Sequence, residues 1–114
     1  KKGFLFMDSP GYDPASVTGQ IASGCNVVTF TTGRGSCFGC KPSPSIKIAT
    51  NTEMYNNMVE DMDVNAGKVI TDNKSIEDVG QEIFDLIVRV ASGEKSKSEY
   101  QGLGDLEFVP NFFK

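Results

Sequence analysis

Two continuous apolar runs separated by one capped helix constrain this chain more than any other feature of its sequence. Gly3-Phe4-Leu5-Phe6-Met7 is short and apolar throughout, which predicts a strand buried on both faces rather than one with a wet side. Asp13 then stands as a helix N-cap, Pro14 takes the first helical position and Gly24 supplies a stop, so a helix is predicted from Pro14 to Ser23. Asn26-Val27-Val28-Thr29-Phe30-Thr31 is rich in β-branched and aromatic residues and predicts a second buried strand. A strand, a helix and a strand within roughly 30 residues make a βαβ unit with parallel strands and a right-handed crossover. The fold class this implies is α/β: a Rossmann-like layered fold with a mostly parallel sheet flanked by helices.

From Thr32 to Pro44 the chain is dense in Gly, Ser, Cys and Pro without periodicity, which makes it a loop organised by turns or by a ligand. Ile46 to Ala49 predicts a third strand, Asn51 or Thr52 caps a short helix running to about Met58, and Lys68 to Ile70 reads as another short strand. The helix from Ile76 to Ser92 is the clearest element. Ser75 and Asp78 have capping-box spacing, and Ile76, Val79, Ile83, Leu86, Ile87 and Val90 recur on one face, so those residues belong to the core. Glu94 to Gly104 is polar and charged, and the apolar Phe108 to Phe113 tail needs a cover.

The 114 residues, 39% of them hydrophobic, suffice for a single domain over 1–114 that buries about two-thirds of its unfolded surface. The start at Lys1-Lys2-Gly3 without an initiator Met reads as a fragment of a longer multidomain protein. No apolar run approaches the roughly 20 residues of a membrane span, so no membrane partner is expected. A net charge of −4 lacks the basic excess of a nucleic-acid binder. Cys25, Cys37 and Cys40 make an odd count, which argues against a disulfide framework and for a reducing, cytoplasmic setting. With no His, Cys37-Phe38-Gly39-Cys40 lacks partners for a closed zinc site, and the cysteine spacing matches no common iron–sulfur run. Neither zinc nor a cluster is expected within this chain.

Charge is unevenly spread. No acidic residue lies between Asp13 and Glu53, while Arg34, Lys41 and Lys47 all fall there. In a parallel α/β sheet ligands bind beyond the carboxyl ends of the strands, and three polar clusters fall at such ends: Asp8-Ser9, Thr31-Thr32-Gly33-Arg34-Gly35-Ser36, and Thr50-Asn51. The middle cluster carries the most chemistry, because glycines let backbone approach a ligand, hydroxyls and N–H groups surround an anion, and Arg34 can fork onto a carboxylate. A tight turn with a surface arginine is the competing account. It is not a phosphate-binding Walker loop. Asp61-Met62-Asp63-Val64-Asn65 resembles the start of a calcium loop, but the glycine is displaced to Gly67 and Asp72 stands where Glu is required, which excludes an EF-hand. Without His there is no Ser-His or Cys-His pair for nucleophilic catalysis.

The stretches GFLFMDSPGYDPASVTGQIASG, VVTFTTGRGS, PSIKIATNT, EDMDVNAG and VASGEKSKSE together resemble the C-terminal region of the altronate/galactarate dehydratase family, in order and over nearly the whole chain. The resemblance implies the C-terminal part of a hydro-lyase of carbohydrate (hexuronate) catabolism. Such an enzyme removes water from a sugar acid such as altronate or galactarate to give a 2-keto-3-deoxy acid. It implies a divalent metal in the intact enzyme, Fe2+ or Mn2+. On this reading Thr31, Thr32, Gly33, Arg34, Gly35, Ser36, Asp8, Ser9 and Asn51 contribute to substrate binding, and Lys41 is either a second carboxylate contact or an exposed lysine. Asp61 and Asp63 bind metal or buttress their loop. The cysteines are not part of the family pattern. The partners implied are the sugar acid, the remaining domains of the same polypeptide and a second copy in a homo-oligomer. Lacking His, the piece alone is expected to fold without turning over substrate, and a non-catalytic assembly domain is the alternative.

Overall fold

The computed structural model describes residues 2–105. In chain order it contains α1 (Asp13–Ala22), β1 (Val28–Thr32), β2 (Ser45–Ala49), α2 (Thr52–Asn57), β3 (Val64–Asn65), α3 (Lys68–Thr71), α4 (Ile76–Ala91) and α5 (Lys97–Tyr100). The strands form one parallel sheet in the order β1-β2-β3, with Thr29 opposite Ile46, Thr31 opposite Ile48, and Ile48 opposite Val64. The architecture is therefore α/β with a parallel sheet and flanking helices.

Alternation along the strands sends Thr29, Thr31, Ile46, Ile48 and Val64 to one face and Val28, Phe30, Thr32, Ser45, Lys47, Ala49 and Asn65 to the other. On the first face Ile46, Ile48 and Val64 pack with Val90 of α4, and Ile83, Leu86 and Ile87 close around them. That helix starts where the capping spacing predicts: Ser75 Oγ accepts from Asp78 N at 3.0 Å. On the second face Val17 of α1 packs with Val28, Phe38 and Cys40, and Phe30 stacks on Phe38 at 5.9 Å between ring centroids. Beside them Met54 of α2 and Met62 pack on Ala49.

The structure departs from the sequence reading at three elements. Gly3 to Met7 is not a strand here: it pairs with nothing in the sheet, and Phe4, Leu5 and Phe6 are 97%, 73% and 88% exposed. The predicted βαβ unit over the first 31 residues therefore lacks its first strand, and the sheet is built from β1 onward. Lys68 to Ile70 is helical rather than extended, because Asn65 Oδ1 accepts from Gly67 N at 2.9 Å and this Asx-type turn reverses the chain straight after β3. The polar segment after α4 holds the short α5, started by Glu99, whose Oε2 accepts from Ser96 N at 2.8 Å. The Phe108 to Phe113 tail lies outside the described residues.

Candidate functional site

Because the strands are parallel, the segments after β1, β2 and β3 emerge at one edge of the sheet. Thr50 stitches the first two together: its N donates to Thr32 O at 3.1 Å and its Oγ1 to the same oxygen at 3.2 Å. Asn51 works in both directions. Its Oδ1 accepts from Met54 N at 2.8 Å, capping α2, and its Nδ2 donates to Gly33 O at 3.0 Å. Within the loop Gly35 N donates to Thr32 Oγ1 at 3.1 Å, and Phe38 N to Ser36 Oγ at 3.0 Å. Gly35 has φ +88°, and a Cβ there would meet Met58 Sδ at 2.0 Å, so only glycine lets this turn lie flat on α2.

These bonds hold Thr32, Gly33, Gly35, Ser36 and Asn51 in place and leave Thr31 and Arg34 exposed. Arg34 has no ion pair or hydrogen bond among the described residues, whereas Lys41 pairs with Asp105 at 2.7 Å, Lys68 with Glu82 at 3.1 Å and Arg89 with Glu94 at 2.8 Å. An exposed guanidinium on a pinned, glycine-rich loop, without an ion-pair partner among the described residues, is suited to a carboxylate or another oxyanion. Asp8 and Ser9 do not join it here. Ser9 Oγ lies 2.9 Å from Ser16 Oγ of α1, and no hydrogen bond among the described residues links either residue to the Thr31–Ser36 loop.

Asp63 has both carboxylate oxygens engaged, Oδ2 by Lys47 N at 2.7 Å and Oδ1 by Lys97 N at 2.8 Å. It ties β2 to the start of α5, the buttressing role. No three His, Cys, Asp or Glu side chains among the described residues come together as a metal site, so Asp61 and Asp63 do not by themselves make a ligand set. No disulfide joins Cys25, Cys37 and Cys40 to one another.

One residue was missed as more than a member of the cationic island. Lys47 is fully buried, and its Nζ, with Ser43 Oγ and Ser45 Oγ, has no hydrogen-bond partner among the described residues. Burial pushes the amine below its ordinary pKa, opposed by the charges of Asp63 and Asp61. The signal was legible: Ile46-Lys47-Ile48 puts a cation inside a run that reads as a core strand.

The fold and this edge define a parallel-sheet α/β domain with a cationic, glycine-rich carboxyl edge, and no helix among its described residues is long and apolar enough to cross a membrane. The family described as D-galactarate/Altronate dehydratase, C-terminal, matches residues 1–112, and the chain belongs to it. It is 44% identical over 95 residues to galactarate dehydratase (L-threo-forming) of Escherichia coli, covering 83% of this chain and 18% of that protein. It is 37% identical over 105 residues to altronate dehydratase of Bacillus subtilis, covering 92% of this chain and 21% of that protein. It is also 32% identical over 107 residues to (2R)-sulfolactate sulfo-lyase subunit beta of Chromohalobacter salexigens, covering 94% of this chain and 27% of that protein. The chain thus spans between 18% and 27% of the length of these relatives.

Proposed function

We propose that this domain supplies the carboxylate-gripping edge of a sugar-acid hydro-lyase that dehydrates an altronate- or galactarate-type acid to a 2-keto-3-deoxy acid. The observation that carries it is Arg34, unpaired and exposed on a loop pinned by Thr50 and Asn51. In such a dehydration a base takes the proton beside the carboxylate, negative charge spreads onto the carboxylate oxygens, and the neighbouring hydroxyl departs as water. A forked cation on those oxygens stabilises the charge as it develops. The hydroxyls of Thr31, Thr32 and Ser36 suit the sugar hydroxyls.

The relatives' names support this division of labour. Two are dehydratases and one is a sulfo-lyase, so the departing group differs while the named substrates all carry a carboxylate. A domain shared among them fits the common carboxylate better than the variable leaving group. The Fe2+ or Mn2+ that the resemblance implies, and the proton-transfer residues, then belong with the rest of the polypeptide, since Asp61 and Asp63 do not make a ligand set.

The test is Arg34→Lys in the full-length protein, with kinetics and melting measured on one preparation. Keeping the charge while losing the fork costs roughly 1.5–3 kcal/mol, or about 10- to 150-fold in kcat/KM, with the melting temperature unchanged. Normal kinetics would remove Arg34 from the site. A second reading, an assembly domain without a substrate contact, is favoured by the exposure of Phe4, Leu5 and Phe6, and it predicts normal kinetics for that variant. The 114-residue piece alone is expected to show no turnover, and activity matching that of the full-length protein would contradict this.

A further inference from the structure

Two features of the described residues match each other: the outer edge of β1, which carries no strand among them, and the apolar run Gly3–Met7, in which Phe4, Leu5 and Phe6 are exposed while Met7 Sδ accepts from Ser23 Oγ, at the end of α1, at 3.6 Å. We infer that Gly3–Met7 docks along the outer edge of β1 as a fourth parallel strand in the full-length protein, bringing Asp8 and Ser9 to the edge that holds Arg34.

Backbone direction shows that the edge is open. Val28 N donates to Pro44 O at 2.9 Å and Thr32 O accepts from Thr50 N at 3.1 Å, both toward the β2 side. N–H groups alternate sides along a strand, so those of Thr29 and Thr31 point outward, where no strand of the described residues lies. An open edge is a template for one more strand.

Topology selects the occupant. α1 lies on the same face as α2, since Val17 packs on Val28 and Met54 on Ala49. The crossover over α2 carries the chain from β2 to β3, so a crossover of the same hand over α1 must reach β1 from its outer side. Lengths agree as well: α1 has 10 residues and spans roughly 15 Å, about the rise of a five-residue strand. Composition agrees, because α1 covers one face of the sheet and α4 the other, and α4 leaves Phe84 and Val88 exposed. Phe4 and Phe6 would face one way, Leu5 and Met7 the other. The exposed state in the structure is then the undocked one.

Docking in parallel ends the new strand at the carboxyl edge, so Asp8 and Ser9 follow it to the loop of Thr31 to Ser36. An acid beside a carboxylate-gripping arginine is what proton transfer at the adjacent carbon requires. This last step rests on the carboxylate reading above; the docking does not.

Amide hydrogen exchange on the full-length protein decides the docking. Residues 4–7 and the amides of Thr29 and Thr31 should be slowed together by roughly 100-fold or more, and Leu5→Asp should release both sets while β2 stays protected. Unprotected residues 4–7 overturn the inference. So does protection of Thr29 and Thr31 without residues 4–7, which assigns the edge to another occupant, and so does protection of residues 4–7 alone. If Leu5→Asp fails to fold, the wild-type pattern still decides. Asp8→Asn should then lower kcat/KM at least about 10-fold without changing the exchange pattern. Normal kinetics for Asp8→Asn beside impaired Arg34→Lys would sink the role of Asp8 alone, while normal kinetics for both would sink the carboxylate reading and leave the docking intact.

Discussion

On its α4 face β2 presents the apolar Ile46 and Ile48 to Val64, Val90 and the helix; on its other face the same strand turns in Ser45 and Lys47, whose side-chain polar atoms have no hydrogen-bond partner among the described residues. Five residues thus carry two kinds of interior. The first is a packing solution, specified by hydrophobic periodicity and insensitive to which groups lie beyond it. The second retains buried polarity that costs stability, and it lies beneath the loops that shape the carboxyl edge. The difference separates what holds the domain together from what the domain holds in readiness.

Ile48→Ala should break the apolar face hardest. Ile48 is buried between Val64 and α4, so truncation leaves a cavity and should cost about 2–5 kcal/mol, read from urea unfolding midpoints. A loss below about 1 kcal/mol would mean that α4 is not the main anchor of the sheet.

Lys47→Met should act in the opposite direction. Replacing an unpartnered buried cation by an apolar chain of similar length should stabilise the domain by about 1–4 kcal/mol. The gain should depend on pH. The folded amine has a pKa below that of the unfolded chain, so between the two values the unfolded state binds more protons and wild-type stability rises with pH. The advantage of Lys47→Met should therefore shrink from neutral pH toward the ordinary amine range. Destabilisation at neutral pH would show that Lys47 has a partner and that the two faces are less different than their hydrogen bonding suggests.

Gly67→Ala tests how the polar side is positioned. A Cβ there would meet Thr52 N at 2.3 Å and Asn51 C at 2.7 Å, so the start of α3 abuts backbone that cannot swing away. Overpacking of this kind should cost about 1–3 kcal/mol, measured in the same unfolding series; a neutral result would show that the α2–α3 junction relaxes.

The two faces were also unequally legible in the sequence. The α4 face could be read almost whole: Ser75 as cap and Val79, Ile83, Leu86, Ile87 and Val90 as one stripe are found as predicted, while Ile76, counted with them, is exposed at the first position of the helix. Ile46 to Ala49 was legible as a strand, and with it the placing of Lys47 inside a core run, but strand pattern does not say whether its head group finds a partner. Lys68 to Ile70 misled because three residues carry too little periodicity to separate strand from helix, although the Asx-type turn that decides the matter, Gly67 N to Asn65 Oδ1, is local. Gly3 to Met7 was apolar enough for a core strand, but composition cannot say when its neighbours receive it. At the candidate site, residue types and their order along the edge were legible. The bonds of Thr50 and Asn51 that pin the loop, and the pairing of Lys41 with Asp105, were not, because they join positions distant in sequence.

The smallest effect on stability should come from Asn51→Asp, and it isolates the pinning of the arginine loop from the capping of α2. Asparagine and aspartate cap helices about equally well, so the Met54 N bond to the side-chain oxygen survives. The donor that reaches Gly33 O is lost, and a carboxylate is set against that carbonyl. At an exposed position this should cost less than about 1.5 kcal/mol. Asn51→Ala removes the cap as well and should cost about 0.5–2 kcal/mol more than a neutral change. In the full-length protein both variants should raise amide exchange at residues 33–36 and lower kcat/KM, since the guanidinium would no longer be held at one place. Equal loss of function in the two variants would tie it to the Gly33 bond they share, and loss only in Asn51→Ala would tie it to the cap. Unchanged exchange at residues 33–36 in Asn51→Asp would show that Thr50 alone pins the loop.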